Sequence, residues 1–131
     1  SVQLLKFDEI HSLRRSNKER IQKALESIDG VRVVNERPDA ETSWFGVPTV
    51  CEDKDLKRSL VAYLEKNKIQ TRNYFAGNIL LHPGYRDLGN AFDYPNANQV
   101  LDKVFFLGCS PTINEKMLQY IEKVIGNYVS N

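Results

Sequence analysis

The stretch TRNYFAGNILLHPGY, residues 71–85, gathers several kinds of recognition group on one connection. Arg72 offers a planar fork of N–H donors that suits a phosphate or a carboxylate. Tyr74 and Phe75 offer flat faces to a sugar or a base. Asn73 and Asn78 each donate and accept, as hydroxyl recognition requires. Gly77 permits close approach or a positive φ. His82 can hydrogen-bond or pass a proton near neutral pH. Plainer readings stand beside these. Arg72 reads equally as an exposed strand residue, Gly77 as a turn former, and His82, ahead of Pro83-Gly84, as a loop closure. Successive strand residues face opposite ways, so one of Tyr74 and Phe75 is expected in the core.

Little else in the chain suggests a self-sufficient active site. His11 and His82 have no Cys, His or carboxylate neighbours at metal-ligand spacing, so no metal site is readable. There is no GxGxxG, GxxxxGK[ST] or GxSxG. Asp8, Glu9, Asp53, Asp55 and Glu115 read as solvated helix charges. Cys51 and Cys109 lie far apart with no CxxC, and read as buried thiols of a reducing cytoplasm, with one disulfide as the alternative. The net charge of +1 supplies no general field for nucleic acid or acidic membranes. No apolar run reaches the roughly 20 residues of a membrane helix. The chain starts without Met, directly in a helical pattern, and reads as a piece of a longer one.

The elements that must position residues 71–85 follow from periodicity. Residues 4–28 read as one long helix: Leu4, Phe7, Ile10 and Leu13, then Ile21, Ala24, Leu25 and Ile28, with the polar RRSNKER between them. Its first half is expected to pack on something outside this chain and its second half on this core, with Gly30 as the C-cap. VRVVNE (31–36) and SWFGVPTVCE (43–52) read as a hairpin, Pro48 implying an edge position or a bulge. Asp53 is placed to cap a helix buried through Leu56, Leu60, Val61 and Leu64. NKIQTRNYF reads as a third strand. The connection over 76–95 is longer than the roughly 12–15 residues usual for a passive loop, which marks it as functional. NANQVLDK suggests a short helix and VFFLG a fourth strand. TINE (112–115) suggests a capping box, Thr112 with Glu115, ahead of a helix striped by Ile113, Met117, Leu118, Ile121, Val124 and Ile125. The order α, β, β, α, β, α, β, α gives an α/β (α+β) fold: a mixed or antiparallel sheet of about four strands packed by helices.

At TRNYFAGNILLHPGY the chain resembles the small domain of the vitamin B6-dependent sugar aminotransferases and dehydratases, the DegT/DnrJ/StrS type. Its neighbours fit in order. The Gln3 to Arg15 run resembles the family helix that enters the small domain. SWFGVPTV resembles the strand after the variable loop, DLKRSLVAYLEKNKIQTR the helix and strand before the signature, and YPNANQVLDKVFFLGCSPTINEKMLQYIEKVI the family's ending. Family aminotransferases typically carry a Pro-Leu-His-like element after the aromatic. Ala76-Gly77-Asn78 stands here instead, and the Arg72 to Asn78 form resembles the nucleotide-sugar 3-dehydratases of lipopolysaccharide O-antigen biosynthesis. NILLHPGY departs from the commoner NLTRQPAY-like continuation, with Leu81 and His82 where the family has a basic residue and a glutamine.

The resemblance implies the small domain of a fold-type I enzyme, with residues 1–131 the C-terminal domain and 1–29 the helix joining it to a large domain. It implies pyridoxal or pyridoxamine 5′-phosphate as the full protein's cofactor and C3 deoxygenation of a 4-keto-6-deoxyhexose carried on CDP or GDP. The proton-moving base is then a histidine of the large domain, and this segment holds no catalytic, cofactor-binding or metal-binding residue of its own. Arg72, Asn73, Tyr74, Phe75, Asn78 and His82 become the substrate-binding wall. The implied setting is a cytoplasmic homodimer with a nucleotide-sugar substrate and a reductase as a further partner, and neither nucleic acid nor membrane. The same domain of a sugar aminotransferase is the first alternative. A stand-alone module that binds a ligand or RNA, or a purely structural domain, follows it.

Overall fold

The computed structural model describes residues 4–130; Gln3 lies outside them. A short 3-10 turn, Leu4–Lys6, leads into α1 (Phe7–Leu25). The chain continues through β1 (Val31–Val33), β2 (Gly46–Cys51), α2 (Lys54–Lys66), β3 (Thr71–Asn73), α3 (Pro95–Lys103), β4 (Val104–Gly108) and α4 (Glu115–Val129). The sheet order is β1-β2-β4-β3 and every pairing is antiparallel. The expected element order is present, with β1 and β2 pairing as a hairpin.

Helices α1, α2 and α4 cover one face of this sheet. Ile21 and Leu25, Leu60 and Leu64, and Ile121 and Ile125 meet Val47, Phe105 and Leu107 there, all buried. Each fully buried side chain of this kind contributes about 1.5–3 kcal/mol. Arg20 clasps α1 to α4, its Nε and Nη2 donating to Glu122 at 2.8 and 2.9 Å and its Nη1 to Glu115 at 2.5 Å. Cys51 and Cys109 are free thiols inside the core, so the disulfide alternative fails. Burial pushes the Cys51 thiol up to about 11, which keeps it protonated and inert.

Four local expectations are corrected. The first helix ends at Leu25, not residue 28, with Glu26 as its C-cap, and Ser27 Oγ donates to the Ala24 carbonyl. Gly30 is no cap; at φ +74° it turns the chain into β1. Pro48 sits in an interior strand, opposite Phe106 of β4. Its carbonyl accepts from Val34 N–H at 3.0 Å, just past the last residue of β1. The proline nitrogen faces the same side, where β1 has already stopped, so the missing donor costs little. The cap of α4 is Asn114, not Thr112: Asn114 Oδ1 accepts from Met117 N–H at 3.1 Å. Thr112 Oγ1 is taken up by Ser110 Oγ, and Glu115 reaches Arg20 instead of closing a capping box. Asn114→Ala is therefore expected to cost about 1 kcal/mol, read as a lower urea midpoint, while Thr112→Ala shifts it little. Asp53 does cap α2, accepting from Asp55 and Leu56 N–H.

The loop between β1 and β2 is tied down on α1. Arg15 grips Glu36 with two bonds of 2.7 and 2.9 Å, and Glu36 also accepts from Thr42 N–H. Arg14 Nη1 donates to the Trp44 carbonyl at 2.8 Å, and the Cys109 thiol donates to the same oxygen. The Arg15 guanidinium and the Thr42 N–H hold the Glu36 carboxyl down at about 2. A depressed folded value means that this stabilisation is complete above the ordinary carboxylate range and is lost as pH falls from there toward about 2. Hydrogen exchange of the Thr42 amide is expected to accelerate over that window in excess of the intrinsic pH trend. Glu36→Gln should remove the pH dependence.

Candidate functional site

The second face of the sheet has no covering by α1, α2 or α4. Register assigns it Arg32, Pro48, Val50, Val104, Phe106 and Arg72, since Arg32 pairs with Val50, Val50 with Val104, Pro48 with Phe106 and Phe106 with Arg72. Adjacent residues of β4 thus divide: Phe105 faces the helices and Phe106 the other side. Arg32 and Arg72 are exposed, and neither guanidinium has a hydrogen-bond or ion-pair partner among the described residues.

Aromatic rings gather around Phe106. Tyr74 meets it edge-on at 6.3 Å, Phe75 lies 6.2 Å away, and Phe45 lies 5.7 Å away. Tyr74 and Phe75 contact each other at 5.1 Å, edge to face. The expectation that one of Tyr74 and Phe75 enters the core fails, because β3 stops at Asn73 and the alternation stops with it. Tyr74 is half-buried against Phe106, and Phe75 is 72% exposed. Phe75 also has φ +52°, a left-handed conformation that a bulky residue rarely adopts. A strained backbone here presents an exposed ring, a combination found at recognition sites.

Two depressions adjoin this cluster. Trp44, Phe45, Gly46, Pro48, Tyr74, Phe75 and Phe106 enclose a cleft of about 90 Å³. Beside it, a groove of about 300 Å³ runs between α3 and the sheet, with Arg32 and Lys103 as its cations and Asn96 and Gln99 as its amides. Tyr74 lines both.

The remaining residues of the 71–85 stretch divide differently. Asn73 is exposed at the edge of the sheet. Asn78 is 2% exposed and fully committed inside the loop. Its Nδ2 donates to the Ala91 carbonyl at 3.0 Å and to Asn98 Oδ1 at 2.7 Å, and its Oδ1 accepts from Leu80 N–H at 3.1 Å. Asn78 therefore fastens residues 79–94 onto α3. Those residues form three short 3-10 turns, Ile79–Leu81, Pro83–Leu88 and Ala91–Asp93, in place of the irregular connection the sequence suggests. His82 is exposed, and its Nε2 lies 3.0 Å from the Ala76 carbonyl, which closes the loop. Gly77 has φ +60°, and a Cβ there would lie 2.7 Å from Leu101 Cβ, so α3 packs directly on it. Arg72, Tyr74 and Phe75 thus share one surface, whereas Asn78 and His82 shape the loop that carries it. Sequence reasoning missed Arg32, Phe45 and Phe106. Strand alternation was the available signal for Arg32 and Phe106, but it does not say which face α1, α2 and α4 cover. Phe45 precedes β2, and alternation would have grouped it with Val47.

A model of the DegT/DnrJ/EryC1/StrS aminotransferase family matches residues 1–125. The chain belongs to this family. It is 33% identical to the dTDP-4-dehydro-2,6-dideoxy-D-glucose 3-dehydratase of Saccharopolyspora spinosa, over 98% of this chain and 29% of that protein. It is 29% identical to the lipopolysaccharide biosynthesis protein RfbH of Salmonella typhimurium, over 92% of this chain and 29% of that protein. The chain thus spans under a third of the length of these curated relatives. Among solved structures, the GDP-4-keto-6-deoxy-D-mannose-3-dehydratase of Escherichia coli with bound hydrated PLP superposes with a TM-score of 0.73. That likeness, at 24% identity over 94% of this chain and 32% of the other, shows a shared fold. The family comprises sugar aminotransferases and 3-dehydratases.

Proposed function

We propose that this chain is the C-terminal small domain of a nucleotide-sugar 3-dehydratase that uses pyridoxamine phosphate, acting in the cytoplasm on precursors of lipopolysaccharide dideoxysugars. The sheet face opposite α1, α2 and α4 is the substrate-binding wall of a cleft that the rest of the protein completes. The observation that carries this reading is the likeness of nearly the whole chain to a 3-dehydratase. The geometry agrees with it. Arg72 brings a permanent charge suited to a phosphate, and Phe75 brings an exposed ring suited to a base or sugar face. Asn73 sits on the rim beside them, while Asn78 and His82 hold the loop in shape.

The chain's own residues do not fit the cofactor. Such a cofactor needs a partner for its ring nitrogen and a group to move its proton, a histidine in the dehydratase reading and a lysine in the aminotransferase one. The buried amines here are committed: Lys18 Nζ donates to Gln22 and Asn35 and lies 4.7 Å over the Trp44 ring, and Lys57 Nζ donates to the Leu101 carbonyl. Neither lines a depression at the candidate site; Lys103 does, but no carboxylate lines that groove to pair with a ring nitrogen. The cofactor and the base belong to the large domain. Residues 1–29 are the link to that domain. Leu4, Leu5, Phe7 and Leu13 stand exposed along this link, 72%, 88%, 51% and 40%, as a surface that needs a cover. A homodimer with its active sites near the subunit interface, supplied with electrons by a reductase, completes the proposed assembly.

The test is product analysis. The full-length protein, loaded with pyridoxamine phosphate and supplied with a reductase and a reduced nicotinamide as the electron source, is incubated with CDP-, GDP- and dTDP-linked 4-keto-6-deoxyhexoses. The expected product of one of them has lost its C3 oxygen and gained no nitrogen. A 4-amino sugar would replace this reading with the aminotransferase one, which the breadth of the family supports.

A further inference from the structure

On the opposite, helix-covered side of the sheet, a groove of about 450 Å³ opens between the start of α4 and the connection from α2 to β3. Its floor is apolar, formed by Leu107, Ile113, Met117 and Ile121, and its two charged residues are Lys68 and Lys116. No carboxylate lines it. Neither lysine's ammonium group has a hydrogen-bond or ion-pair partner among the described residues. Tyr120, also in the wall, has its hydroxyl committed to the Asn67 carbonyl, which fixes the rim.

Lys68 is at this rim against its backbone preference. It occupies the position that closes α2: Lys68 N–H donates to the Glu65 carbonyl and Ile69 N–H to the Leu64 carbonyl, the paired bonds of a Schellman motif. Lys68 itself takes φ +62°, where glycine is the unstrained choice. The chain keeps a long cationic side chain where its own fold favours none.

We infer that this groove binds a small molecule with an apolar body and one carboxylate end, the body on Leu107, Ile113 and Met117 and the carboxylate between Lys68 and Lys116. The volume falls within the range of about 300–1,000 Å³ typical of small-molecule sites. Two unpaired ammonium groups beside an apolar floor complement that ligand and reject a cationic one. The site is separate from the sheet face that carries Arg72, so the inference stands whichever reaction the family member catalyses.

The experiment is calorimetric titration of the full-length protein with decanoate and, separately, with decanol. Saturable one-to-one binding of decanoate is expected, at least about fivefold tighter than decanol, because a charge-assisted contact is added. Lys68→Gly is expected to weaken decanoate by about fivefold or more while leaving the thermal midpoint of the free protein unchanged or raised, since the left-handed strain is relieved. Lys116→Ala should weaken it comparably. Equal affinity for acid and alcohol, undiminished affinity in both variants, or no saturable binding would each overturn the assignment.

Discussion

Replacing Arg72 by alanine in the full-length protein is expected to raise the dissociation constant for its nucleotide-linked 4-keto sugar by about 10- to 100-fold. Affinity for the cofactor should be unchanged. The size follows from what the fork supplies. A charge-assisted bond to a phosphate is worth about 1.5–3 kcal/mol, and each 1.4 kcal/mol is about tenfold in affinity. The side chain is exposed, has no partner among the described residues and faces the same way as Phe106, so its loss leaves the fold intact. Arg72→Lys keeps the charge but not the planar fork, and should fall between alanine and the natural residue. Titration of each variant with sugar nucleotide and with pyridoxamine phosphate separates the two affinities. Equal loss of both would point to damage to the domain's seating instead of a direct contact.

Gly77→Val is expected to disable the protein through its architecture. Gly77 has φ +60°, and an added Cβ would meet Leu101 Cβ at 2.7 Å and Cδ1 at 2.8 Å. The left-handed backbone costs a branched residue about 1–2 kcal/mol, and the overpacking about 1–3 kcal/mol more. That strain falls next to Asn78, whose amide ties Ala91 and Asn98 together. Residues 74–94 should therefore exchange amide hydrogen faster, while the α1 and α4 amides over the core keep their protection. Turnover should fall because Tyr74 and Phe75 lose their placement over Phe106. Exchange and turnover like the natural protein's would show that Leu101 gives way and that the loop does not depend on this contact.

Long periodic patterns made most of the fold legible. The α2 stripe and the VFFLG run sit where their pattern places them. The hairpin strands are shorter than their patterns, Val31–Val33 within 31–36 and Gly46–Cys51 within 43–52, and Ile113 precedes the helix whose stripe it was read in. The errors arise where a distant contact outvotes a local signal. Thr112 looks like a cap, yet Ser110 takes its hydroxyl, and Asn17 Nδ2 holds the Ser110 carbonyl at 2.8 Å from 93 residues away. Pro48 looks like an edge residue, and only the early end of β1 makes an interior place tolerable. The candidate site shows the same division. The residue types of the Arg72 to Asn78 stretch announced recognition, but their roles required the tertiary structure. Asn78 is polar and looked free, and its partners lie 13 and 20 residues onward. Phe45 joins the aromatic cluster because Arg14 and Cys109 fix the neighbouring Trp44 carbonyl, a tie that spans 30 and 65 residues.

The most direct test of the substrate-wall assignment is hydrogen–deuterium exchange of the full-length protein, with and without a saturating sugar nucleotide. Protection is predicted in the segments carrying Trp44 to Gly46 and Thr71 to Asn78, with no change in the Schellman turn at Lys68. Saturation by the sugar nucleotide without protection in either segment would contradict the assignment and place the substrate against another surface.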